Sequence, residues 1–474
     1  MRETKLYKAL VQLSGHELNR QHRFVISPYF NRNDAIVHLF EWIKKDLKIP
    51  DSIEPSREEL WKHCFKNEEY NDGRFRKLQS DLLKLVEEFY AQEAYDANPI
   101  HKARYLLESI NSNKLENLET TAIRSAIQFS EDQELRPASY YLNKYEVEQN
   151  IYILNKHKAQ RSSKTNIENI VTNLDKFFLA EKLRYYSLIL THQHFAAVNY
   201  KMLFIDEIIQ HVKNYDYSDV PAILIYYQIL LTTIEPENRE HYDKLRELIS
   251  KYIHYFPEPQ VKEILDSAFN YCILKSNSGS LEFVRELFNL YVESLENKLI
   301  FVKDQITPWS YKNIVTAGLR LNEFDWVENF IQEYSLLLDE KFRENAVTFN
   351  YAQFYFYKKD YQKVIEQLSK VEYEDFTYNL NSKTLLMASY FELDEFEALN
   401  SFLDSFRLYI DRNKKLTQGK GKHYKNTIAI VRKLSKIVPG NTHEIDRLKQ
   451  KVLATEGVVS KNWILEKLAN LASS

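Results

Sequence analysis

The chain has 474 residues, of which 64 are Lys or Arg and 67 are Asp or Glu, so its formal net charge at pH 7 is −3. A charge this close to zero gives no global electrostatic argument for binding nucleic acid or an anionic membrane. Only 8 residues are Gly and 11 are Pro, which disfavours strand-rich folds and glycine-dependent phosphate loops. The composition therefore predicts a chain that is nearly all α-helix.

Three features of the sequence predict a soluble, cytoplasmic protein with no membrane segment. The first residues, from Met1 to Lys5, lack the apolar core of a signal peptide. The longest uncharged run, residues 220–234, is shorter than the roughly 20 residues that span a bilayer. Cys64 and Cys272 lie far apart among apolar residues, so we expect two buried thiols in a reducing compartment.

Residues 1–97 are predicted to form a small N-terminal helical domain. Ser14 with Glu17, and Ser56 with Glu59, fit the capping box that opens a helix. A long helix is expected from about Asp72. Its apolar residues recur at alternating intervals of three and four, which predicts a packing seam formed by Phe75, Leu78, Leu82, Leu85 and Phe89.

Residues 98–260 are predicted to form less regular helical hairpins. Pro137 is expected to start a long helix, and two helices are expected between Asn166 and Phe195. A further hairpin is predicted in residues 216–256, and Pro257 is expected to end it.

The strongest pattern lies in residues 345–406, where a short motif occurs twice. Each copy has apolar residues every three or four positions on both sides of an aromatic residue, and a polar turn residue lies two positions before that aromatic. Tyr361 and Phe396 are these aromatics and are 35 residues apart, and Phe324 precedes Tyr361 by 37 residues. A looser copy surrounds Gly279 and Leu281. Each copy is predicted to be a helical hairpin.

A period in the mid-thirties with this internal pattern resembles the tetratricopeptide repeat. The resemblance implies that residues 261–411 stack into an all-α, right-handed α-α superhelix, and that an aromatic of each second helix packs inside its own hairpin. The sequence departs from the family where Asn322, Lys359 and Asp394 replace the turn glycine. An irregular helical bundle is the alternative interpretation.

The N-terminal region carries a second resemblance. Residues 27–33 (SPYFNRN) and 73–82 (GRFRKLQSDL) are similar to the head of a set of uncharacterised bacterial proteins that join such a region to helical repeats. This resemblance implies no activity.

Residues 412–474 are predicted to cap the end of the repeats. A basic, glycine-containing loop is expected between Arg412 and Lys425, followed by three helices, the last of which carries Trp463. A terminal helix that covers the exposed end of the last repeat is what a stacked-repeat protein needs for solubility.

The sequence contains no motif that predicts catalysis. The segment from Gly419 to His423 lacks the spacing and the preceding strand of a phosphate loop, so we interpret it as a solvated linker. His192 and His194 are two positions apart, so their side chains would point to the same side only on a strand. Their surroundings are predicted to be helical, and we interpret them as surface histidines. We therefore expect no enzyme, cofactor or metal site, although a catalytic site assembled from distant residues is an open third hypothesis.

A binding surface is predicted instead on the first helices of the repeats. The tetratricopeptide resemblance implies that these helices line the inner surface, and its register assigns the partner-binding positions to Trp309, Lys312, Thr316, Arg320, Phe349, Gln353, Tyr357 and Phe391. Aromatic, cationic and amide side chains of this kind suit an extended peptide or a partner helix. Thr316 stands where a carboxylate-clamp asparagine would be needed, and Phe349 is alternatively a core residue.

The sequence thus predicts a non-catalytic scaffold or adaptor that binds a peptide or partner protein on the inner surface of its repeats. The alternative is a nucleic-acid-associated regulator that uses the basic residues Arg74, Arg76, Lys77, Lys420 and Lys422. The partner and the oligomeric state stay open.

Overall fold

The computed structural model describes residues 1–49, 53–66, 68–155, 165–196, 198–369, 376–413 and 418–473, with backbone only for 194–196, 376–377 and 418–420. The secondary structure of these ranges is α-helix, with two short 3-10 helices and one isolated antiparallel bridge between Val302 and Gln305. No strand occurs within the ranges just given, and none of their helices is long and apolar enough to cross a membrane.

The helices of the first half of the chain are α1 (Lys5–Val11), α2 (Gly15–Val25), α3 (Asp34–Asp46), α4 (Arg57–Cys64), α5 (Asp72–Asp96), α6 (Pro99–Asn113), α7 (Glu116–Glu131), α8 (Ala138–Asn155), α9 (Ile167–Ala196), α10 (Ile205–Asn214), α11 (Pro221–Ile234) and α12 (Arg239–Tyr252). Those of the second half are α13 (Glu258–Asn277), α14 (Leu281–Glu296), α15 (Pro308–Arg320), α16 (Phe324–Tyr334), α17 (Glu340–Tyr357), α18 (Tyr361–Leu368), α19 (Phe376–Glu392), α20 (Phe396–Arg412), α21 (Gln418–Leu434), α22 (Thr442–Ala454) and α23 (Lys461–Ser473).

Contacts between these helices divide the chain into two compact units. The first unit consists of Met1–Tyr186 and Lys201–Leu224, and the second of Ser187–Tyr200 and Ile225–Ser474. The four-part division predicted from the sequence stays a prediction.

Local signals at the start of the first unit are read correctly from the sequence. Ser14 Oγ accepts from the Glu17 amide at 3.3 Å, and Glu17 Oε2 accepts from the Ser14 amide at 2.8 Å. The same reciprocal pair forms between Ser56 and Glu59. Since each pair satisfies two backbone N–H groups left over at a helix start, α2 and α4 begin where predicted. The predicted seam of α5 is buried along its length.

One long helix, α9, is present where two helices were predicted. It has 30 residues, and no Gly or Pro interrupts residues 167–196. Leu179, Ala180 and Leu183 are buried near its middle, so the packing face continues through the middle of the helix. The prediction of a helix pair here is wrong for that reason.

The four hairpins predicted from the repeat pattern are confirmed. Each second helix begins at or immediately after the residue that the repeat pattern marks, and these starting residues are Leu281, Phe324, Tyr361 and Phe396. Each helix from α13 to α20 packs against its neighbour in sequence, and α15, α17 and α19 also pack against one another in order. The fold class, all-α with stacked helical repeats, is therefore the predicted one.

The turns inside these hairpins all contain a residue with positive φ. The value is 105° at Gly279, and it is 60° at Asn322, 62° at Lys359 and 56° at Asp394, three values within the left-handed helical region. In the third hairpin the Asp360 amide donates to the Tyr355 carbonyl at 2.9 Å, which closes the end of α17 as in a Schellman motif. The turn therefore keeps its left-handed geometry without glycine, at a cost of roughly 1 kcal/mol per non-glycine residue.

The repeat aromatics pack partly as the resemblance implied. The ring centroids of Tyr361 and Phe356 are 5.5 Å apart, and those of Phe396 and Phe391 are 5.7 Å apart. Both pairs lie within a single hairpin. Phe324 instead contacts Phe354 of the next hairpin, with ring centroids 6.2 Å apart.

The C-terminal helices share a hydrophobic core with the last hairpin. Leu403 of α20, Val431 of α21, Leu448 of α22 and Ile464 of α23 belong to one buried cluster. The loop predicted between Arg412 and Lys425 is wrong from residue 418 onward, because α21 begins there and buries Ile428 and Val431 against this cluster. Residues 414–417 of the predicted loop lie outside the described ranges.

The two cysteines are buried and unpaired, as predicted. Burial raises the pKa of each thiol to about 12, so both are held in the unreactive protonated form at neutral pH. Cys272 donates a hydrogen bond to the Tyr242 hydroxyl, with Sγ 3.0 Å from the oxygen. Cys272 is therefore a core residue of the second unit.

Candidate binding groove

The first helices of the four hairpins line a cavity of about 340 Å³, which we call the cationic cavity. Its polar lining consists of Ser276 and Asn277 from α13, Lys312, Asn313, Thr316 and Arg320 from α15, Gln353 from α17, Asn381 and Thr384 from α19, and Ser460 from the loop before α23. Its apolar lining consists of Ile273, Val284, Leu287, Ala317, Phe349, Leu385 and Val459.

Helix α15 supplies the largest share of this surface because of its sequence spacing. Lys312, Thr316 and Arg320 follow one another at intervals of four and so lie on one face of the helix. Thr307 fixes the start of the helix, since its Oγ1 accepts from the Ser310 amide at 3.1 Å and Pro308 occupies the first turn. The opposite face is held in the core by buried residues such as Tyr311.

Hydrogen bonds connect the helices that line the cationic cavity. The Arg320 guanidinium donates to the Ser276 carbonyl at 2.9 Å and to its hydroxyl at 3.2 Å, which satisfies the C-terminal end of α13. Thr316 Oγ1 lies 2.8 Å from the Lys312 carbonyl and 3.4 Å from Gln353 Oε1 on α17. These side chains are therefore held in place before any partner binds.

The charge of the lining has one sign. It includes two cations, Lys312 and Arg320, together with four amide and four hydroxyl side chains. Among the lining residues that the structure describes there is no Asp or Glu. Since a partly enclosed site screens charges less than open water does, this lining favours an anionic group.

Trp309 contacts Lys312 and is about half exposed to solvent. Its side chain is 52% exposed, and the Lys312 ammonium lies 4.0 Å from the centre of its ring and 6.0 Å from that of Tyr378. Cation–π contacts of this kind orient the ammonium group. Trp309 does not itself line the cationic cavity.

Phe349 forms part of the floor and belongs to the core. It is fully buried in a cluster with Ala352 and Val364. Its ring meets the ring of Tyr378 edge to face at 5.0 Å. Phe349 is therefore a packing residue, which was the alternative interpretation of this position. Gln353 lies one turn further along α17 and presents its amide group to the cationic cavity.

Tyr357 and Phe391 lie outside the lining. Tyr357 is 37% exposed, and burial raises the pKa of its hydroxyl although the charge of nearby Arg320 acts in the opposite direction. Phe391 is buried beneath α23, with its ring 5.4 Å from that of Trp463. The neighbouring carboxylate of Glu392 accepts from Trp463 Nε1 at 2.7 Å and from Lys467 Nζ at 2.8 Å.

A second, larger cavity lies next to the first. It has a volume of about 670 Å³, and we call it the uncharged cavity because all of its described lining residues are apolar or neutral polar. It is formed by the C-terminal part of α9, by α11 and by α13, and its lining includes Leu190, Thr232, Asn270 and Leu274. Ile273 and Asn277 of α13 line both cavities, so the two cavities adjoin along α13 within the second unit, and we call the pair the groove.

The residues proposed for nucleic-acid binding are divided between the two units. Arg74 pairs with Glu68 at 2.5 Å and Arg76 pairs with Asp72 at 2.5 Å. Lys77 and Lys422 are exposed, whereas the side chain of Lys420 lies outside the described residues. Two of the five predicted cations are therefore neutralised locally.

Several groove residues were not predicted from the sequence. Arg320 lies two positions before the left-handed turn residue Asn322, and the same offset from Gly279 identifies Asn277. The offset is not sufficient by itself, because Tyr357 has it relative to Lys359 and lies outside the lining. Val459 and Ser460 reach the cavity only through tertiary contacts, and no periodicity marks them.

The fold and the groove together define the class of this protein. It is an all-α helical-repeat protein whose first helices line an amide-rich, cationic cavity. Comparison of the chain with protein-family models, with curated proteins and with solved structures found no match. Within the described part of the chain, no group of three or more His, Cys, Asp or Glu residues is arranged to hold a metal ion.

Proposed function

We propose that this protein is a non-catalytic scaffold or adaptor, built from divergent tetratricopeptide-like repeats, that binds an extended segment of a partner protein in the groove. One observation carries the proposal. Five residues chosen from the repeat register meet around a single cavity, and these are Lys312, Thr316, Arg320, Phe349 and Gln353.

The polar chemistry of the groove suits a polypeptide backbone. An extended peptide presents one N–H donor and one C=O acceptor per residue, apart from proline. Asn and Gln side chains offer both a donor and an acceptor, and Asn277, Gln353 and Asn381 lie on three different helices around the cationic cavity. A segment that crosses these helices can therefore pair its backbone with successive amides while its side chains enter the cavities.

The same lining supports binding over catalysis. Among its described residues there is no His, Cys, Asp or Glu, and the hydroxyl of Thr316 lies within hydrogen-bonding distance of a main-chain carbonyl and of Gln353. General acid–base or nucleophilic catalysis needs a titratable group or an activated nucleophile next to the reacting atom. Apart from Arg320, Lys312 is the one titratable side chain of the described lining, and its ammonium packs on the ring of Trp309. This lining therefore favours the holding of a bound chain over catalysis.

The test is affinity capture from a lysate of the organism that encodes the chain, with quantitative comparison between variants. We expect Trp309→Ala and Gln353→Ala to reduce recovery of the same partner about tenfold or more, because interface anchors contribute at least about 2 kcal/mol each. Asn329→Ala, at an exposed position of α16 outside the groove lining, is the matched control and should leave recovery unchanged. Equal recovery from all three variants would exclude this groove as the binding surface.

A further inference from the structure

The two cavities of the groove differ in charge although they share a wall. The cationic cavity presents Lys312 and Arg320 with no carboxylate among its described lining residues. The uncharged cavity presents no charged side chain among its own. This segregation is informative because the whole chain has a slight excess of acidic residues, so a carboxylate-free cationic surface does not follow from composition.

We infer that the partner segment carries an anionic group about three residues from an apolar side chain, with the anion in the cationic cavity and the apolar group in the uncharged cavity. This inference rests on the proposed function, because it names the chemistry of the segment that the groove binds. The anion is the carboxylate of an Asp or Glu side chain in mid-chain, and a phosphorylated residue in its place is an outcome that the test below distinguishes.

The cations are fixed before binding. Arg320 is held by its two hydrogen bonds to Ser276, and Lys312 is held against the ring of Trp309. They lie eight residues apart on α15, which corresponds to about 12 Å along the helix axis. A charged group that enters between them meets oriented donors, so little side-chain entropy is lost on binding.

The uncharged cavity has the properties of an apolar anchor site. Leu274 on its α13 wall is 47% exposed, and Leu190 and Ile273 add apolar surface. A volume of about 670 Å³ exceeds the space that one Leu or Phe side chain requires. Burial of such a side chain contributes roughly 1.5–3 kcal/mol, whereas a charged side chain would find no partner among the described lining residues.

The spacing follows from helix packing. The uncharged cavity lies between α11 and α13 and the cationic cavity lies between α13 and the helices that follow it. Packed helices are about 8–10 Å apart, and an extended chain advances about 3.3 Å per residue. The two groups of the partner are therefore separated by about three residues.

The experiment is selection of binders from a random 12-residue peptide library, with the full chain as bait. Three baits are compared, namely the wild type, Lys312→Glu in the cationic cavity, and Lys341→Glu. Lys341 is exposed at the start of α17 and lies outside both linings, so its replacement makes the same change in net charge. Selected sequences are then resynthesised with acetylated and amidated ends, which removes terminal charges, and their affinities are measured.

We expect wild-type and Lys341→Glu baits to select peptides with Asp or Glu about three positions from Leu, Ile or Phe. We expect Lys312→Glu to bind those peptides about tenfold or more weakly and to select Lys or Arg at the acidic position. Such an inversion cannot arise from misfolding. Replacing the acidic residue by phosphoserine identifies the source, since tighter binding indicates a phosphate and equal or weaker binding indicates a carboxylate.

Two results would overturn the inference, and they are distinguishable. Selection of neutral or basic peptides by the wild type would refute the anionic partner and leave the proposed function standing. Failure of the wild type to enrich any peptide above a bait-free control would count against the proposed function itself and remove the inference with it.

Discussion

Replacement of Phe349 by Ala is expected to lower the free energy of unfolding of the second unit by about 3–5 kcal/mol, the range for truncating a fully buried aromatic residue. The ring is completely buried, packs edge to face on Tyr378, and lies in the cluster that joins α17, α18 and α19. Urea-induced unfolding followed by circular dichroism measures the loss.

Trp309→Ala is the matched comparison for this prediction. Trp309 is half exposed and contacts the Lys312 ammonium, so its removal should cost less than about 1 kcal/mol of stability, close to the value of an exposed cation–π contact. We expect the two variants to differ in the property that is lost. Phe349→Ala should lower the free energy of unfolding, whereas Trp309→Ala should weaken partner binding. A Phe349→Ala variant as stable as the wild type would mean that the floor of the groove is not a packed core.

The second large effect is expected at Gly318, where α15 approaches both of its neighbours. A Cβ atom at this position would lie 2.5 Å from Val327 Cγ2 of α16 and 3.2 Å from Phe288 Cε2 of α14. In an open helix, Gly→Ala stabilises by about 1 kcal/mol. Here overpacking should reverse the sign and destabilise the second unit by about 1–3 kcal/mol, measured as a lower midpoint in urea.

A double-mutant cycle tests the cause of that effect. Val327→Ala removes the clashing methyl group and by itself leaves a cavity, because Val327 is completely buried. If the contact between the two side chains is responsible, Gly318→Ala combined with Val327→Ala will be more stable than the sum of the single effects predicts. Simple additivity would show that the contact with Val327 does not cause the loss and would leave the approach to Phe288 as its source.

Local features of the fold were predictable because their causes are local. The capping boxes at Ser14 and Ser56 and the left-handed turns at Asn322, Lys359 and Asp394 depend on residues within a few positions of one another. The errors arose where tertiary burial overrode local composition. Gly419 and Gly421 indicated a loop, but the buried face of α21 extends the helix to Gln418.

The groove was predictable only in part, and the limit is physical. A fixed offset from each turn places residues on the inner face of a repeat, which is why Lys312, Thr316 and Arg320 lie together. The same offset cannot reveal which positions other elements cover. Phe391 satisfies the register, yet α23 folds back over it through Trp463 and Lys467, and that contact joins residues about 70 positions apart.

The central claim is that the groove on the first helices, and not the outer helices, contacts the partner. Site-specific photo-crosslinking in cells tests it most directly, with p-benzoylphenylalanine placed in the full chain at Gln353 in the cationic cavity or at Asn329 on α16. The account predicts a crosslinked partner from position 353 and none from position 329. Crosslinks to the same partner from position 329 alone, or equally from both positions, would contradict it.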